Sequence, residues 1–436
     1  MLALVDADAF FCNCERLVHP SPEIRPTIVL SRNDGIIVSA DRPAKDLGLK
    51  VGMPYFQIKD CCLQHNVMVC SSHFELYQDI STRLMQLLAQ EAPLEVYSID
   101  EAYLHLPSRI TWTAPRLLAY GEKIITKIRD ELGIPVSIGL APTKVLAKVA
   151  AYTAKHPALK KAVFQGESFL RQTDQILSGH SGHCVFVSPA HLTQDLPHPL
   201  LQKFKIENLW GIGPATAVEL RLLGIAYADQ LRRYPAPSAF SLAARQIQLE
   251  LQGHPVFLAG PTDAPQKSFL HSRSFSPPLT QPAQIIDTLR DFITQTAVQL
   301  REQNSTCQKI KVFCGLGHPG LAGFTPFLER KTYSEEYKFL DPTADTRKLI
   351  KAGEKLLANL TKDSSIVYRL GVELSMLYSN QVQRQNFLEE NDSPASQHLM
   401  KVVDQINQQQ GSSTINFGRT AHPCKISRPK ILANSK

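Results

Sequence analysis

The first eight residues are an apolar run, Met1 to Val5, closed by Asp6 and Asp8, and they read as a buried strand ending in carboxylates. Residues 77–90 (YQDISTRLMQLLAQ) carry apolar side chains at helical spacing. Leu94–Ile99 and Ala102–Leu106 are strand-like runs separated only by Asp100 and Glu101, a spacing that predicts a tight hairpin. A helical pattern over 115–132 and a strand over Pro135–Ala141 complete the series strand, helix, strand, strand, helix, strand. That succession is ferredoxin-like. Residues 11–76 interrupt its first connection and are numerous enough for a small subdomain.

The character changes beyond Lys155. Residues 156–200 are rich in His, Pro, Ser and Gly and show little regular pattern, while 208–225 read as helix, glycine turn, helix. A Pro- and Gly-containing stretch, 253–266, reads as a linker. Strand and helix patterns then alternate again over Ser268–Phe275, Ile285–Arg301, Lys309–Gly315, Thr346–Leu360 and Ile366–Leu377. From about 378 the chain is rich in Gln, Asn and Ser, which predicts a partly ordered tail.

At 436 residues the chain exceeds one ordinary core, so two to four domains are expected. A hydrophobic content of 43% and a charged content of 20% are those of a soluble globular protein, and no run is long enough to span a membrane. The N-terminal run lacks a basic lead and is broken by acids, so it is not read as a signal peptide, and a cytoplasmic protein is expected. The nine cysteines are odd in number, contain no CxxC pair and are read as reduced thiols. His180, His183 and Cys184 are a loop cluster read as no metal site. The net charge of +7 favours a polyanionic partner only mildly.

The acids carry the sharper signal. Nucleotidyl transfer uses two divalent cations about 3.5–4 Å apart, bridged by carboxylates. In a ferredoxin-like sheet the end of the first strand lies beside the hairpin, so Asp6 and the Asp100-Glu101 pair would converge. An acid at a strand end is ordinarily a solvated turn residue. Adjacent acids between two apolar strands are different, because like charges there repel unless a cation screens them.

Three segments resemble the palm motifs of Y-family DNA polymerases: VDADAFF (5–11), YSIDEA (97–102) and APTKVLAKVAAYTAK (141–155). Within that family the chain is similar to the UmuC type, the catalytic subunit of DNA polymerase V and its plasmid-borne relatives. LSRNDGIIVSA (30–40), HFELYQDIS (73–81), LWGIG (209–213), SRSF (272–275) and LMKVVDQIN (399–407) extend the likeness over nearly the whole chain.

The resemblance implies an α+β multidomain protein. Its parts would be a ferredoxin-like palm (1–10 and 77–165) with inserted fingers (11–76), a helical thumb (166–252) with a helix–hairpin–helix at 208–225, and a linker (253–266). An α/β little-finger domain (267–376) and the tail (377–436) would follow. It implies Asp6, Asp100 and Glu101 as catalytic metal ligands with the backbone carbonyl of Ala7, holding two Mg2+ ions, Mn2+ being an alternative. Asp8 lies inside the motif but is not a family ligand.

By the same resemblance Phe11 is the steric gate against a 2′-hydroxyl, with Phe10 packed beside it; without it, two phenylalanines at a strand end are core. Helical geometry at about 100° per residue puts Lys144, Lys148 and Lys155 within roughly 40° of one another, a ridge whose ordinary reading is a solvated face. The likeness makes Lys155 a triphosphate contact, with Lys45 and Arg42 serving the same end. Gly211 and Gly213 would let the hairpin backbone approach a DNA phosphate, and Lys267, Arg273 and Lys311 would add phosphate contacts.

Two regions depart from the UmuC pattern. The chain is longer by roughly twenty residues around 157–182, the mark of a loop insertion. Arg384-Gln385-Asn386-Phe387-Leu388 stands where that type carries its sliding-clamp peptide, but it has lost the leading Gln and exchanged its hydrophobic residues.

An error-prone, translesion DNA polymerase of the SOS response is therefore expected, acting on primer–template DNA and dNTP. A UmuD-like dimer and a recombinase filament are the partners the resemblance implies, with a nucleoid-associated location when active. The rivals are a non-catalytic DNA-binding scaffold at stalled primers, which would have no need of the acidic trio, and a palm-type nucleotide cyclase, which would need no hairpin motif.

Overall fold

The computed structural model describes residues 1–20, 25–32, 35–107, 112–164, 184–187, 192, 197–235, 238, 240–258, 265–317, 331–361, 366–379, 392–411 and 414–417. The chain divides into two compact units, the first running to Thr262 and the second from Asp263.

In the first unit, strand β1 (Leu2–Ala7) turns sharply into helix α1 (Phe10–Val18). Ala9 makes that turn in the left-handed region, at φ 42° and ψ 49°, a conformation that costs a non-glycine residue about 1–2 kcal/mol. A small sheet follows, of β2 (Thr27–Leu30), β3 (Ile37–Ala40) and, after helices α2 (Arg42–Asp46) and α3 (Tyr55–Gln64), β4 (Met68–Ser71), in the order β3-β2-β4. Ile28, Leu30, Ile37, Leu49 and Ile58 give this subdomain its own core. Buried Asp41 ties it to α1: its carboxylate caps α2 at the Ala44 N–H, accepts from the Thr27 N–H and pairs with Arg16. Helix α1 itself packs with the main sheet, since Phe10, Cys12 and Cys14 lie in the same core as Ala3 and Val5.

The main sheet continues after α4 (Phe74–Ala89) with β5 (Leu94–Val96), β6 (Glu101–His105), α5 (Ala114–Leu132), β7 (Val136–Ala141) and α6 (Lys144–Lys155). Its order begins β5-β6-β1-β7, and these four strands have the predicted ferredoxin-like arrangement. Helix α5 forms where the sequence says it should: Pro115 opens it, Gly133 closes it at φ 69°, and Leu117, Ile124 and Ile128 face the core. The hairpin is wider than expected. Strand β5 stops at Val96, and the N–H groups of Tyr97 and Ser98 both donate to the Glu101 carbonyl, so Asp100 lies in the turn and Glu101 opens β6.

All six residues of β7 are buried, because α6 covers one face of the sheet and α5 the other. Gly139 makes the approach of α6 possible: a Cβ there would lie 2.0 Å from the Ala147 carbonyl oxygen. Beyond α7 (Pro157–Phe164), strand β8 (Cys184–Phe186) adds to β7 in parallel, regular structure in a stretch whose sequence showed none. Most of the 157–182 segment lies outside the described residues, as do His180 and His183; Cys184 is a buried strand thiol.

A 3₁₀ turn (Ile206–Asn208) and helices α8 (Pro214–Leu222), α9 (Ala228–Arg233) and α10 (Leu242–Leu251) complete the unit. The first helix expected within 208–225 is thus only this single turn, ahead of the glycines rather than among them. Phe204, Leu209, Leu220, Leu231 and Ile247 pack on Val145, Leu146 and Val149, which buries α6 between the sheet and this helical layer. At about 1.5–3 kcal/mol for each large apolar side chain, that burial fixes α6 far more firmly than its own propensity could.

The second unit contains β9 (Ser268–Leu279), α11 (Pro282–Glu302), β10 (Ser305–Leu316), β11 (Lys331–Thr343), α12 (Thr346–Leu360) and β12 (Val367–Ser379). Its strands are all antiparallel, in the order β11-β10-β12-β9, with α11 and α12 on one face. Strand β11 escaped the sequence reading because it is an edge strand exposed along most of its length, so it carries no apolar alternation. The tail supplies helix α13 (Pro394–Gln410), which the composition did not predict. Asp404 takes a two-pronged hydrogen bond from Arg301, and Ser396 donates to Asp345 at 2.5 Å. Residues 384–388 lie outside the described residues. Among the described residues no helix is long and apolar enough to cross a membrane.

Candidate active site

Strand β1 alternates: Ala3, Val5 and Ala7 enter the core shared with α1, α4 and α5, while Leu4 belongs to the core shared with α6. Asp6 therefore emerges on the α6 side. Its β6 partner in register is Glu101, and the Ala7 N–H donates to the Asp100 carbonyl at 2.9 Å. Backbone pairing alone thus brings Asp6, Ala7, Asp100 and Glu101 to one corner of the sheet.

Each carboxylate at this corner has its own partner. Lys155 Nζ lies 2.5 Å from Asp6 Oδ1 and 3.2 Å from Asp8 Oδ1, and 3.4 Å from the Ala7 carbonyl. Lys148 Nζ lies 2.9 Å from Glu101 Oε2, and Ser98 Oγ donates to Asp100 Oδ1 at 2.6 Å. The ridge of lysines is consequently no solvated face. Lys144 is only 6% exposed and reaches Glu95 at 2.5 Å, and all three lysines of α6 neutralise acids of the sheet.

Burial pushes the Asp6 carboxyl up to about 7; Lys155 opposes the shift, and Glu101 and Asp100 add to it. Burial likewise raises Asp8 against the pull of Lys155 and of Ser137, whose hydroxyl donates to both its oxygens. Among the described residues no three acidic, imidazole or thiol groups stand arranged to hold an ion as they are. In the pairs just named, Asp6 and Glu101 each already hold an ammonium partner. The donor set still suits a hard divalent cation, with three carboxylates and a backbone carbonyl, all oxygen, at a corner where an uncompensated negative charge is costly.

Phe11 is held as a flat wall. Its ring stacks on Tyr77 with centroids 4.4 Å apart and planes 15° from parallel, and Phe74 meets it edge-on at 5.9 Å. Tyr77 is fixed in turn by donating to buried Glu15 at 2.6 Å. Phe10 is core, 3% exposed. Lys45 and Arg42 are exposed on α2, Arg42 pairing with Asp46. Burial, opposed by the Tyr152 carbonyl, and then the charges of Lys45, Arg42 and Lys155 hold the His156 imidazole below its ordinary value.

Gly211 adopts φ 85° and Gly213 caps α8, so the chain turns sharply into that helix's N-terminus. In the second unit Lys267 is exposed, and Lys311 points from the sheet face without helices, between Glu336 and Glu373 on the neighbouring strands. Arg273 differs from expectation: it pairs in register with core Leu370, on the helix-covered face, with its guanidinium 5.9 Å over Phe275.

Sequence reasoning named Asp8 and Lys148 without giving either a role, and missed Glu95, Tyr77, Tyr97 and Trp210 as parts of this neighbourhood. Lys148 lay on the ridge that was noticed, and Tyr97 and Trp210 lie within the quoted segments YSIDEA and LWGIG. Glu95 gave no signal.

The family model described as the impB/mucB/samB family matches residues 5–152, and that of the same family's C-terminal domain matches 266–387. Together they take in more than half of the chain. Protein UmuC of Salmonella typhimurium (strain LT2) is 29% identical over 425 residues, covering 96% of this chain and 93% of that one. Protein MucB of Escherichia coli is 28% identical over 415 residues, covering 93% and 90%. DNA polymerase IV of Dehalococcoides mccartyi (strain CBDB1) is 26% identical over 427 residues, covering 95% and 96%. Among solved structures, the Y-family DNA polymerase chimera Dbh-Dpo4(243-245)-Dbh overlays with a TM-score of 0.63 at 21% identity, covering 87% of this chain and 99% of that one, a likeness of fold. With both parts of one family matched in order and relatives of that family aligned along nearly its full length, the chain belongs to the impB/mucB/samB family, the UmuC type of Y-family DNA polymerase.

Proposed function

We propose that this chain is an error-prone, translesion DNA polymerase of the DNA-damage (SOS) response, adding template-selected dNTP to a primer 3′-hydroxyl. The observation that carries the reading is the register that sets Asp6 against Glu101, with the Asp100 carbonyl on the Ala7 N–H. Asp6, Asp100, Glu101 and the Ala7 carbonyl would hold two Mg2+ ions, or Mn2+ in their place. When bound, such ions lower the pKa of the attacking hydroxyl and neutralise the leaving pyrophosphate.

The remaining residues bind and exclude. Lys155, Lys45 and Arg42 meet the triphosphate as cations, and Phe11, braced by Tyr77, leaves no room for a 2′-hydroxyl. Phe10 supports Phe11 from the core. The turn at Gly211 and Gly213 offers backbone N–H groups to a primer–template phosphate without reading sequence. Lys267, Lys311 and Arg273 are the contacts proposed for the second unit, Arg273 lying on the opposite face of the sheet from Lys311. A UmuD-like dimer and a recombinase filament are proposed as partners, in the cytoplasm at the nucleoid, whereas the altered 384–388 peptide gives no ground for a clamp contact.

Primer extension tests the proposal: purified chain, Mg2+ and dNTP, on intact and abasic templates, beside Asp100→Ala. Extension that vanishes in the variant supports it, and extension across the abasic site supports lesion bypass. Silence that persists after adding the UmuD-like dimer and the recombinase filament would instead indicate a DNA-binding scaffold.

A further inference from the structure

Lys148 has more neighbours than an ion pair requires. Its ammonium sits 2.9 Å from Glu101, and the same group stands 4.3 Å from the centroid of Tyr97 and 5.6 Å from that of Trp210. The two aromatic residues are themselves joined: Trp210 Nε1 donates to the Tyr97 hydroxyl at 2.8 Å, and their rings meet edge-on at 5.8 Å. Phe257 meets the indole edge-on at 4.9 Å. Trp210 immediately precedes Gly211, whose φ of 85° makes the turn proposed to grip the duplex. Tyr97 lies in the hairpin turn that carries Asp100. A continuous line of contacts therefore runs from the glycine turn through Trp210, Tyr97 and Lys148 to Glu101.

An ammonium placed this way is held by two attractions at one position. One is the carboxylate. The other is the pair of aromatic faces, which attract a cation electrostatically. A divalent cation arriving at Glu101 repels the ammonium, and the aromatic faces oppose its expulsion into water. How strongly they do so depends on how Trp210 is seated on Tyr97.

We propose that Lys148 is a positioning residue that couples cation entry at Glu101 to the seating of the Trp210–Gly213 turn on duplex, each event favouring the other. The proposal rests on the polymerase reading of the carboxylates. Coupling of this kind is reciprocal: duplex raises the affinity for the cation by the factor by which the cation raises the affinity for duplex.

The chain has two tryptophans, so Trp112→Phe leaves Trp210 as the sole indole reporter. Its emission is followed while MgCl2 is added, without dNTP, in the presence and absence of a primer–template duplex. Trp210 emission is expected to change with Mg2+, and saturating duplex to lower the Mg2+ midpoint roughly fivefold. Lys148→Met, on the same background, should abolish the optical response and make the Mg2+ midpoint for thermal stabilisation independent of duplex. Lys148→Arg, which keeps both the charge and the affinity for aromatic faces, should restore the duplex dependence.

A Trp210 signal that ignores Mg2+ while Mg2+ still raises the melting temperature would overturn the coupling and leave the polymerase reading standing. The same holds if Lys148→Met keeps the parent's response. Absence of any Mg2+ stabilisation that Asp100→Ala removes would sink both together.

Discussion

With its 11–76 insertion set aside, the first four strands of the first unit's main sheet follow the same succession as the second unit, strand, helix, strand, strand, helix, strand, yet their sheets are ordered differently. In the first unit the opening strand β1 lies inside the sheet, hydrogen-bonded to β6 of the hairpin. In the second, the opening strand β9 lies at the edge, and β12 separates it from the β10–β11 hairpin. Only the first order lets an acid at the end of strand one meet acids at a hairpin. The second leaves basic and acidic residues alternating across an open face, as Lys311 does between Glu336 and Glu373. Strand order, not the list of elements, decides whether a reactive corner can form.

The sharpest way to break that comparison is to remove one charge from each unit. Asp100→Ala should lower primer extension by about 10³-fold or more, several kcal/mol of lost transition-state stabilisation. Lys311→Ala should cost only a few-fold, and mainly at low salt, where one phosphate contact counts most. Steady-state extension rates at two salt concentrations decide it, and equal losses in the two variants would refute the contrast.

Next in size is the packing of helix on sheet. In Gly139→Ala the new Cβ would meet the Ala147 carbonyl, backbone that cannot move aside, and about 1–3 kcal/mol of destabilisation is expected. Gly371→Ala in the second unit meets the Phe313 ring and, at 2.6 Å, the Ser272 Cβ on the paired strand, so its melting temperature should fall by a comparable amount. Calorimetry on both variants gives the comparison directly.

Acidity should separate the units further. Asp6 is raised above its unfolded value, so the folded form binds the extra proton. Its contribution is therefore fully present below the unfolded carboxylate range, about pH 4, and is lost as pH rises through about 7. Mg2+ must displace that proton at pH 6 but not at pH 8, so its stabilising effect should be greater at pH 8. Asp345 runs the other way. Burial raises it, but hydrogen bonds from Arg347 and Ser396 outweigh burial and hold it near 2, so its contribution is present above about pH 4 and lost as pH falls through about 2. Melting scans across pH with and without Mg2+ would show the opposed trends; a Mg2+ effect that does not change between pH 6 and 8 would contradict the first.

The smallest effect concerns the tail. Asp404→Ala removes the carboxylate that Arg301 holds and should cost about 1 kcal/mol, with faster proteolysis near α13 as the readout. Extension by the first unit's corner should not change, and a large loss there would mean that the tail matters to chemistry.

Much of this was legible in the chain. Apolar periodicity placed α5 and β7 nearly to the residue, and the ferredoxin-like order followed from the succession of patterns. The acids at positions 6, 100 and 101 were legible because charge between apolar strands is anomalous. Strand β11 and helix α13 were not, since an exposed edge strand and a polar helix carry little hydrophobic signal. Nor was the buried state of Lys144, whose acid partner Glu95 is 49 residues away.

Sequence by itself determined most of the segments that become helices and strands and which residue types stand at the corner, because those follow from local spacing and from the cost of burying charge. Tertiary structure alone decided that Lys155 serves both Asp6 and Asp8, that Lys148 rests between Glu101 and two aromatic rings, and that Arg273 turns toward the helices. These are matters of register and of which layer covers which face, and both are set by packing between residues distant in the chain.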